Sequence, residues 1–320
     1  MNFVGKRTWF FLFSLAMILP GIVFLIIAPG LKPGIDFSGG STLSVRFVES
    51  VTQQDLRDAL SRLNMPEATV QRLGDDSYFI RTKELNEAGK DQILLDLQRD
   101  LGVSGVELLA FDLVSPVVAR DIIVNGFWAV LAATIGIFIY IWWAFRNVPS
   151  PLRYSAAAIV ALLHDVVITI GAFAILGVVA DIEVNTMFLI ALLTVIGYSV
   201  NDTIVVFDRL RENVVAYPGR TLASNVNLSI SETFARSVNT NATVIITILA
   251  LLLFGGPTIR EFLLVLLIGV AVGTYSSIAI AAQFILVWEE HGMLWPLRRR
   301  KAPQPAAPGG KAAEAAAKPG

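Results

Sequence analysis

Six runs of apolar residues, each long enough to cross a bilayer as a helix, constrain this chain more than any other feature. They cover about residues 9–28, 121–144, 154–179, 185–207, 238–256 and 261–288. A spanning helix needs about 20 mostly apolar residues, because hydrocarbon offers no partner for backbone N–H and C=O groups. The composition agrees: of 320 residues, 55% are hydrophobic and only 16% charged, which sets the chain apart from soluble proteins of its length. There is no cysteine, so disulfides, thiolate metal sites and cysteine nucleophiles are excluded. Two histidines, His164 and His291, are too few for a multi-histidine metal centre, and no metal or cofactor is expected.

The first run follows Lys6-Arg7 and ends at Pro29-Gly30-Leu31-Lys32-Pro33. It is longer than a signal-peptide core and lacks a small-x-small cleavage site, so it reads as a retained signal-anchor helix. Basic residues beside the runs set their sidedness. Lys6 and Arg7, Arg146 and Arg153, then Arg209, Arg211, Arg220 and Arg236, and finally Arg298, Arg299, Arg300 and Lys301 all fall on one side. The opposite side has Asp181 and Glu183 in one short loop and only Arg260 in another. The positive-inside rule therefore places both termini in the cytoplasm and residues 30–120 outside.

Residues 30–120 are enough for a small folded domain. Residues 41–48 alternate as a half-buried strand does. Thr52 suits an N-cap, with Leu56, Ala59, Leu60 and Leu63 behind it at helical spacing. Strands fit 67–73 and 76–82 about a turn at Gly74-Asp75-Asp76, a second helix fits 84–101 ahead of Gly102, and a last strand fits 105–114. The order β-α-β-β-α-β predicts a ferredoxin-like α+β domain outside an α-helical membrane bundle. The charged stretch 208–237 reads as an amphipathic segment along the cytoplasmic surface, and 291–320 as a disordered cytoplasmic tail.

Ionisable groups within spanning helices cost about 2.5–3.5 kcal/mol on insertion scales, so each needs a reason to be there. The third run carries His164, Asp165 and, one turn on, Thr169. The fourth carries Thr194, Tyr198, Asn201 and Asp202 near one stripe; the fifth opens with Arg236, Asn239, Thr240, Thr243 and Thr247. Asp202 and Arg236, at similar depth on consecutive antiparallel helices, are expected to pair, and protonation of Asp202 would dissolve that pair. Plainer readings stand beside this one. Arg236 suits a snorkelling anchor, Asp202 a static packing pair, and His164-Asp165 a structural hydrogen-bonded pair. Gly269-x-x-x-Gly273 suits close helix packing, and Pro20-Gly21 a kink.

These residues also carry a resemblance. Gly34-Ile35-Asp36-Phe37-Ser38-Gly39-Gly40 is similar to the opening motif of the SecF family. Residues 163–171 resemble its third span, residues 193–213 its most recognisable segment, and 236–241 with 251–256 complete the set. The resemblance covers about residues 5–290. It implies a multi-pass protein of the bacterial inner membrane, built like half of an RND-superfamily proton-driven exporter. It also implies a SecD partner, action beside the SecYEG channel on unfolded preprotein, YajC as a further candidate partner, and no nucleic acid. The family's intramembrane acid and arginine map onto Asp202 and Arg236. Asn201, His164, Asp165, Tyr198, Asn239 and Thr240 are supporting candidates, and Gly34, Asp36, Gly39 and Gly40 are motif positions. No enzymatic role is implied. The alternatives are a translocon scaffold without proton coupling, an RND-like half-exporter of small molecules, and a membrane hydrolase. The last lacks any Gly-x-Ser-x-Gly motif.

Overall fold

A computed structural model describes residues 2–27, 30–74, 76–148, 150–256 and 259–291. Asp75 of the predicted turn and residues 292–320 of the predicted tail, including the cluster from Arg298 to Lys301, lie outside the described residues. Among the described residues, six helical stretches are long and apolar enough to cross a membrane: Val4–Ile26, Pro116–Ala144, Pro151–Val179, Thr186–Ala216, Leu222–Phe254 and Arg260–Glu290.

The first of these is a short 3-10 turn leading into α1 (Arg7–Ile26), which Pro20 does not interrupt. After it come α2 (Ile35–Ser38), β1 (Gly40–Phe47), α3 (Gln53–Arg62), β2 (Thr69–Gly74), β3 (Ser77–Thr82), α4 (Glu87–Leu101) and β4 (Val106–Val114). The chain returns through α5 (Pro116–Ala144), α6 (Pro151–Val179), α7 (Thr186–Ala216) and α8 (Leu222–Phe254). It ends in α9 (Arg260–Ser276), a π-helical segment (Ser277–Ala281) and α10 (Ala282–His291).

Local chemistry explains the boundaries. Thr52 caps α3, its side chain accepting from the Asp55 amide at 3.1 Å. Asn86, rather than a residue near 84, caps α4 through the Gly89 amide at 2.7 Å. Gly102 closes α4 in the left-handed conformation, φ 67°. Pro116 and Pro151 open α5 and α6, where a missing N–H costs nothing.

The strands form one antiparallel sheet in the order β2-β3-β1-β4, so β1 is central, between β3 and β4. Leu43, Val45 and Phe47 of β1 meet Leu56, Ala59 and Leu60 of α3 and Ile93 and Leu97 of α4 in a core of their own. Each of these side chains larger than alanine contributes about 1.5–3 kcal/mol by leaving water, which gives the sheet domain a separate hydrophobic driving force.

In the bundle, α6 and α7 hold the most buried residues, whereas α1 buries only Ser14 and Gly21 among its described residues. Gly21 lies against Gly171 of α6 so closely that a Cβ on it would sit 2.8 Å from the Gly171 Cα. In the same way Gly269 and Gly273 seat α9 against Val195 and Ser199 of α7.

The stretch 208–237 corrects the sequence expectation. It is not a separate segment lying on a surface but the end of α7, a short turn, and the start of α8. No proline or glycine interrupts the chain until Pro218-Gly219, and the polar residues face each other across the hairpin. Asn213 Nδ2 donates to Ser229 Oγ and Glu232 Oε2, each at 2.9 Å, and Arg209 Nε donates to Glu232 Oε2 at 2.7 Å.

Candidate functional site

Asp202 is 4% exposed, on the face of α7 that packs against α8. Its Oδ2 accepts a hydrogen bond from Asn241 Nδ2, and Asn241 Oδ1 accepts in turn from the Tyr198 hydroxyl at 2.7 Å. The carboxylate is therefore bonded to a neutral amide. Asn241 lies in the stretch 236–241 that carries the resemblance but was not among the site candidates drawn from the sequence. The signal was present, since Asn241 lies 39 residues beyond Asp202 on the neighbouring antiparallel helix. It was hidden by the longer polar stripe beside it.

The expected Asp202–Arg236 ion pair is absent among the described residues, a correction with a simple geometric cause. Arg236 precedes Asn241 by five positions, which at 3.6 residues per turn puts the two about 140° apart around α8. With Asn241 facing Asp202, Arg236 points away and is exposed. So are Asn239, Thr240, Thr243 and Thr247 on α8, and Thr194 and Asn201 on α7. The hydroxyls of Thr194, Thr243 and Thr247 donate back to their own helix carbonyls at 2.7–2.9 Å. Arg236, Asn201 and Asn239 have no hydrogen-bond partner among the described residues.

His164 and Asp165 belong to a second buried group, centred on α6. Asp165, 1% exposed, accepts at Oδ2 from Ser199 of α7 and from Ser276 of α9, the latter at 2.7 Å. Its Oδ1 lies 2.9 Å from His164 Nδ1. His164 Nε2 lies 3.0 Å from Ser14 Oγ of α1, and Ser14 Oγ 3.0 Å from the Tyr275 hydroxyl of α9. Thr169 donates to the Asp165 carbonyl at 2.8 Å. Four helices thus meet on one His-Asp pair. Ser14, Ser199, Tyr275 and Ser276 were not legible as its partners, because their convergence depends on how the helices cross.

The motif 34–40 makes a joint between the sheet domain and the α6–α7 loop. The Gly34 amide donates to the Val184 carbonyl and the Val184 amide to the Lys32 carbonyl, both at 2.7 Å. Asp36 Oδ2 accepts from the Thr186 amide at 2.7 Å, a second cap on α7 beside Asn185. Gly39 and Gly40 adopt φ of 72° and 126°, and a Cβ on Gly40 would sit 2.6 Å from the Thr82 carbonyl, so both positions demand glycine. Across this joint Arg81 Nη1 meets Glu183 Oε1 at 2.9 Å, and Asp181 is held by Lys32 and by Gln71 Nε2 at 2.6 Å. The Lys32 ammonium, with help from Gln71, holds the Asp181 carboxyl below its ordinary range against the opposing effect of burial. No three His, Asp or Glu side chains gather as a metal-ligand set among the described residues.

Comparison with known proteins places these features in one family. The SecD/SecF GG motif matches residues 24–51, and the C-terminal region of the protein export membrane proteins SecD/SecF matches residues 95–291. The protein translocase subunit SecF of Thermobaculum terrenum is 42% identical over 93% of this chain and 97% of its own. That of Anaerolinea thermophila is 39% identical over 90% and 94%. A crystal structure of SecDF from Thermus, described as a translocon-associated membrane protein, superposes with a TM-score of 0.79 at 31% identity. The superposition spans 91% of this chain and 39% of the SecDF chain. With the glycine motif, the six apolar helices and these similarities in register along nearly its whole length, this chain is a multi-pass membrane protein that belongs to the SecF family of protein translocase subunits.

Proposed function

We propose that this chain couples proton movement at Asp202 to protein export, as one half of a twelve-helix assembly whose other half is a SecD-type subunit. The observation that carries the reading is the contrast between two ionisable groups at the α7–α8 face. A buried carboxylate is bonded to a neutral amide, and an arginine stands exposed on an apolar bundle with no partner among the described residues. An exposed arginine in a membrane span calls for a protein partner carrying acceptors or a carboxylate, and the stripe of Asn201, Asn239 and Thr240 extends that surface. The Bacillus subtilis protein named SecDF aligns with 90% of this chain over 38% of its own length, which supports a SecD-like remainder as the partner. In this reading both termini are cytoplasmic and the sheet domain faces outward, beside the translocon channel and the emerging preprotein. The strand order β2-β3-β1-β4, with two helices in β-α-β-β-α-β sequence, supports a ferredoxin-like fold for that domain.

The test is preprotein translocation into vesicles carrying this chain and a SecD partner, with and without a proton gradient, comparing wild type with Asp202→Asn. Co-purification first shows that the variant is inserted and still holds its partner. Loss of the gradient-dependent part of export identifies Asp202 as the coupling group. Equal gradient response in both sinks the proton reading and favours the scaffold, in which the Asn241 bond to Asp202 is static packing.

A further inference from the structure

We propose that His164 and Asp165 together form a proton-binding site, one that holds a single proton in the 2.9 Å contact between Nδ1 and Oδ1. This goes beyond the reading of Asp202 and stands or falls independently of it. Each hydroxyl has one hydrogen to give, and the chain of contacts fixes where each one goes. The Tyr275 hydroxyl donates to the Phe10 carbonyl at 2.6 Å, a separation too short for two facing lone pairs. Its oxygen must then accept from Ser14, 3.0 Å away. Ser14 has spent its hydrogen, so across the 3.0 Å contact it accepts from His164, and Nε2 carries a proton. On the other side, Ser199 and Ser276 both donate to Asp165 Oδ2. A neutral Nε2–H imidazole beside an ionised Asp165 would leave two lone pairs facing each other across Nδ1 and Oδ1, in a site 8% and 1% exposed. One more proton is needed, either on Nδ1 with Asp165 ionised or on Oδ1 with His164 neutral. In both forms the pair has no net charge, as a site inside a membrane bundle requires. None of the side-chain atoms in this group is among the buried atoms left without a partner.

Release of that proton cannot be local. The one arrangement that keeps the pair bonded has Nδ1–H donating to an ionised Asp165 and Ser14 donating to a bare Nε2. Tyr275 then donates to Ser14, and the Phe10 carbonyl loses its bond from α9. Proton occupancy therefore sets whether Tyr275 of α9 grips the backbone of α1. The groups facing the pair are Ser14 from α1, Ser199 from α7, and Tyr275 and Ser276 from α9, with the Phe10 carbonyl of α1 one bond further on, behind Tyr275. Asp202, three positions beyond Ser199 on α7, is bonded to α8 instead.

The full chain in a bilayer tests this without altering the site. The sequence has only His164 and His291, so in His291→Gln protein labelled with 15N-histidine and 13C-aspartate a single imidazole remains. Its two nitrogens and the carboxyl carbon correlated with them are followed across the pH range in which the protein stays folded. The expected result is a form with Nε2 protonated and one further proton on Nδ1 or on the Asp165 carboxyl, giving way to a bare Nε2 if the pH is raised far enough to release it. A bare Nε2 at every pH, or an Nε2–H imidazole beside an ionised Asp165 with nothing on Nδ1, overturns the proposal.

Discussion

At the scale of single residues, the polar side chains in this bundle act through the bonds they complete. Asn241 satisfies a carboxylate that is 4% exposed, and Asn241→Ala leaves that group without its amide. An unsatisfied buried polar group costs about 1–3 kcal/mol, so Asn241→Ala should lower the thermal midpoint of the detergent-solubilised chain. An unchanged midpoint would mean that the bond contributes nothing. Gly40 poses a backbone constraint instead: at φ 126° with the Thr82 carbonyl against it, Gly40→Ala is strained twice over. A loss of more than about 1 kcal/mol is expected where a side chain meets an incompatible backbone. Faster amide exchange in β1 and β3 would show it. The glycine pair and Asp202 were visible in the sequence as types in unusual places. Asn241 was not, because asparagine in a helix already rich in Thr and Asn has nothing to mark it out until its neighbour is known.

Among elements, the joint at residues 32–40 determines how the sheet domain is attached. The sequence shows two covalent tethers, α1 and α5, and suggests that the domain follows those helices. Hydrogen bonds add a third attachment, to the start of α7, the helix that carries Asp202 at mid-length. Asp36→Ala removes one cap from α7, worth about 0.5–2 kcal/mol for a side chain that caps a helix. It should therefore speed amide exchange at Thr186 more than at residues deep in α7. Equal protection would show that Asn185 suffices alone. Asp181 adds a pH dependence to the same joint. Its carboxyl is depressed in the folded protein chiefly by Lys32, so the joint gains stability that is present above the ordinary aspartate value of about 3.9. That gain is lost as pH falls through the lowered folded value. Acid should loosen the 180–185 loop in wild type, read as protease cleavage, and Asp181→Asn should be loosened already at neutral pH.

On the scale of the whole molecule, the proposed function makes the bundle one half of a larger assembly. α1 and α5 expose most of their apolar surface, as lipid-facing helices do, but the face formed by α7 and α8 exposes Asn201, Arg236, Asn239 and Thr240. A surface substitution that touches nothing in its own chain changes stability by no more than about 0.5 kcal/mol. Arg236→Ala should accordingly leave the isolated chain's thermal midpoint unchanged while weakening its co-purification with a SecD-type subunit. A variant that unfolds alone but still binds the partner would reverse that assignment.

The apolar spans and the alternation of the sheet domain were readable in the chain, because each depends on residue type and period along one element. The pairing within the site was not. From sequence, Asp202 and Arg236 share a depth, but depth says nothing of azimuth, and about 140° of rotation between Asn241 and Arg236 decides which of them meets the carboxylate. The same holds for Ser14, Ser199, Tyr275 and Ser276, four ordinary residues on three helices that become partners of one His-Asp pair. Glycines that let helices approach backbone to backbone fix those crossings, as Gly21 and Gly171 do between α1 and α6. Contacts between helices are properties of the crossing, and no single helix carries them in its own period.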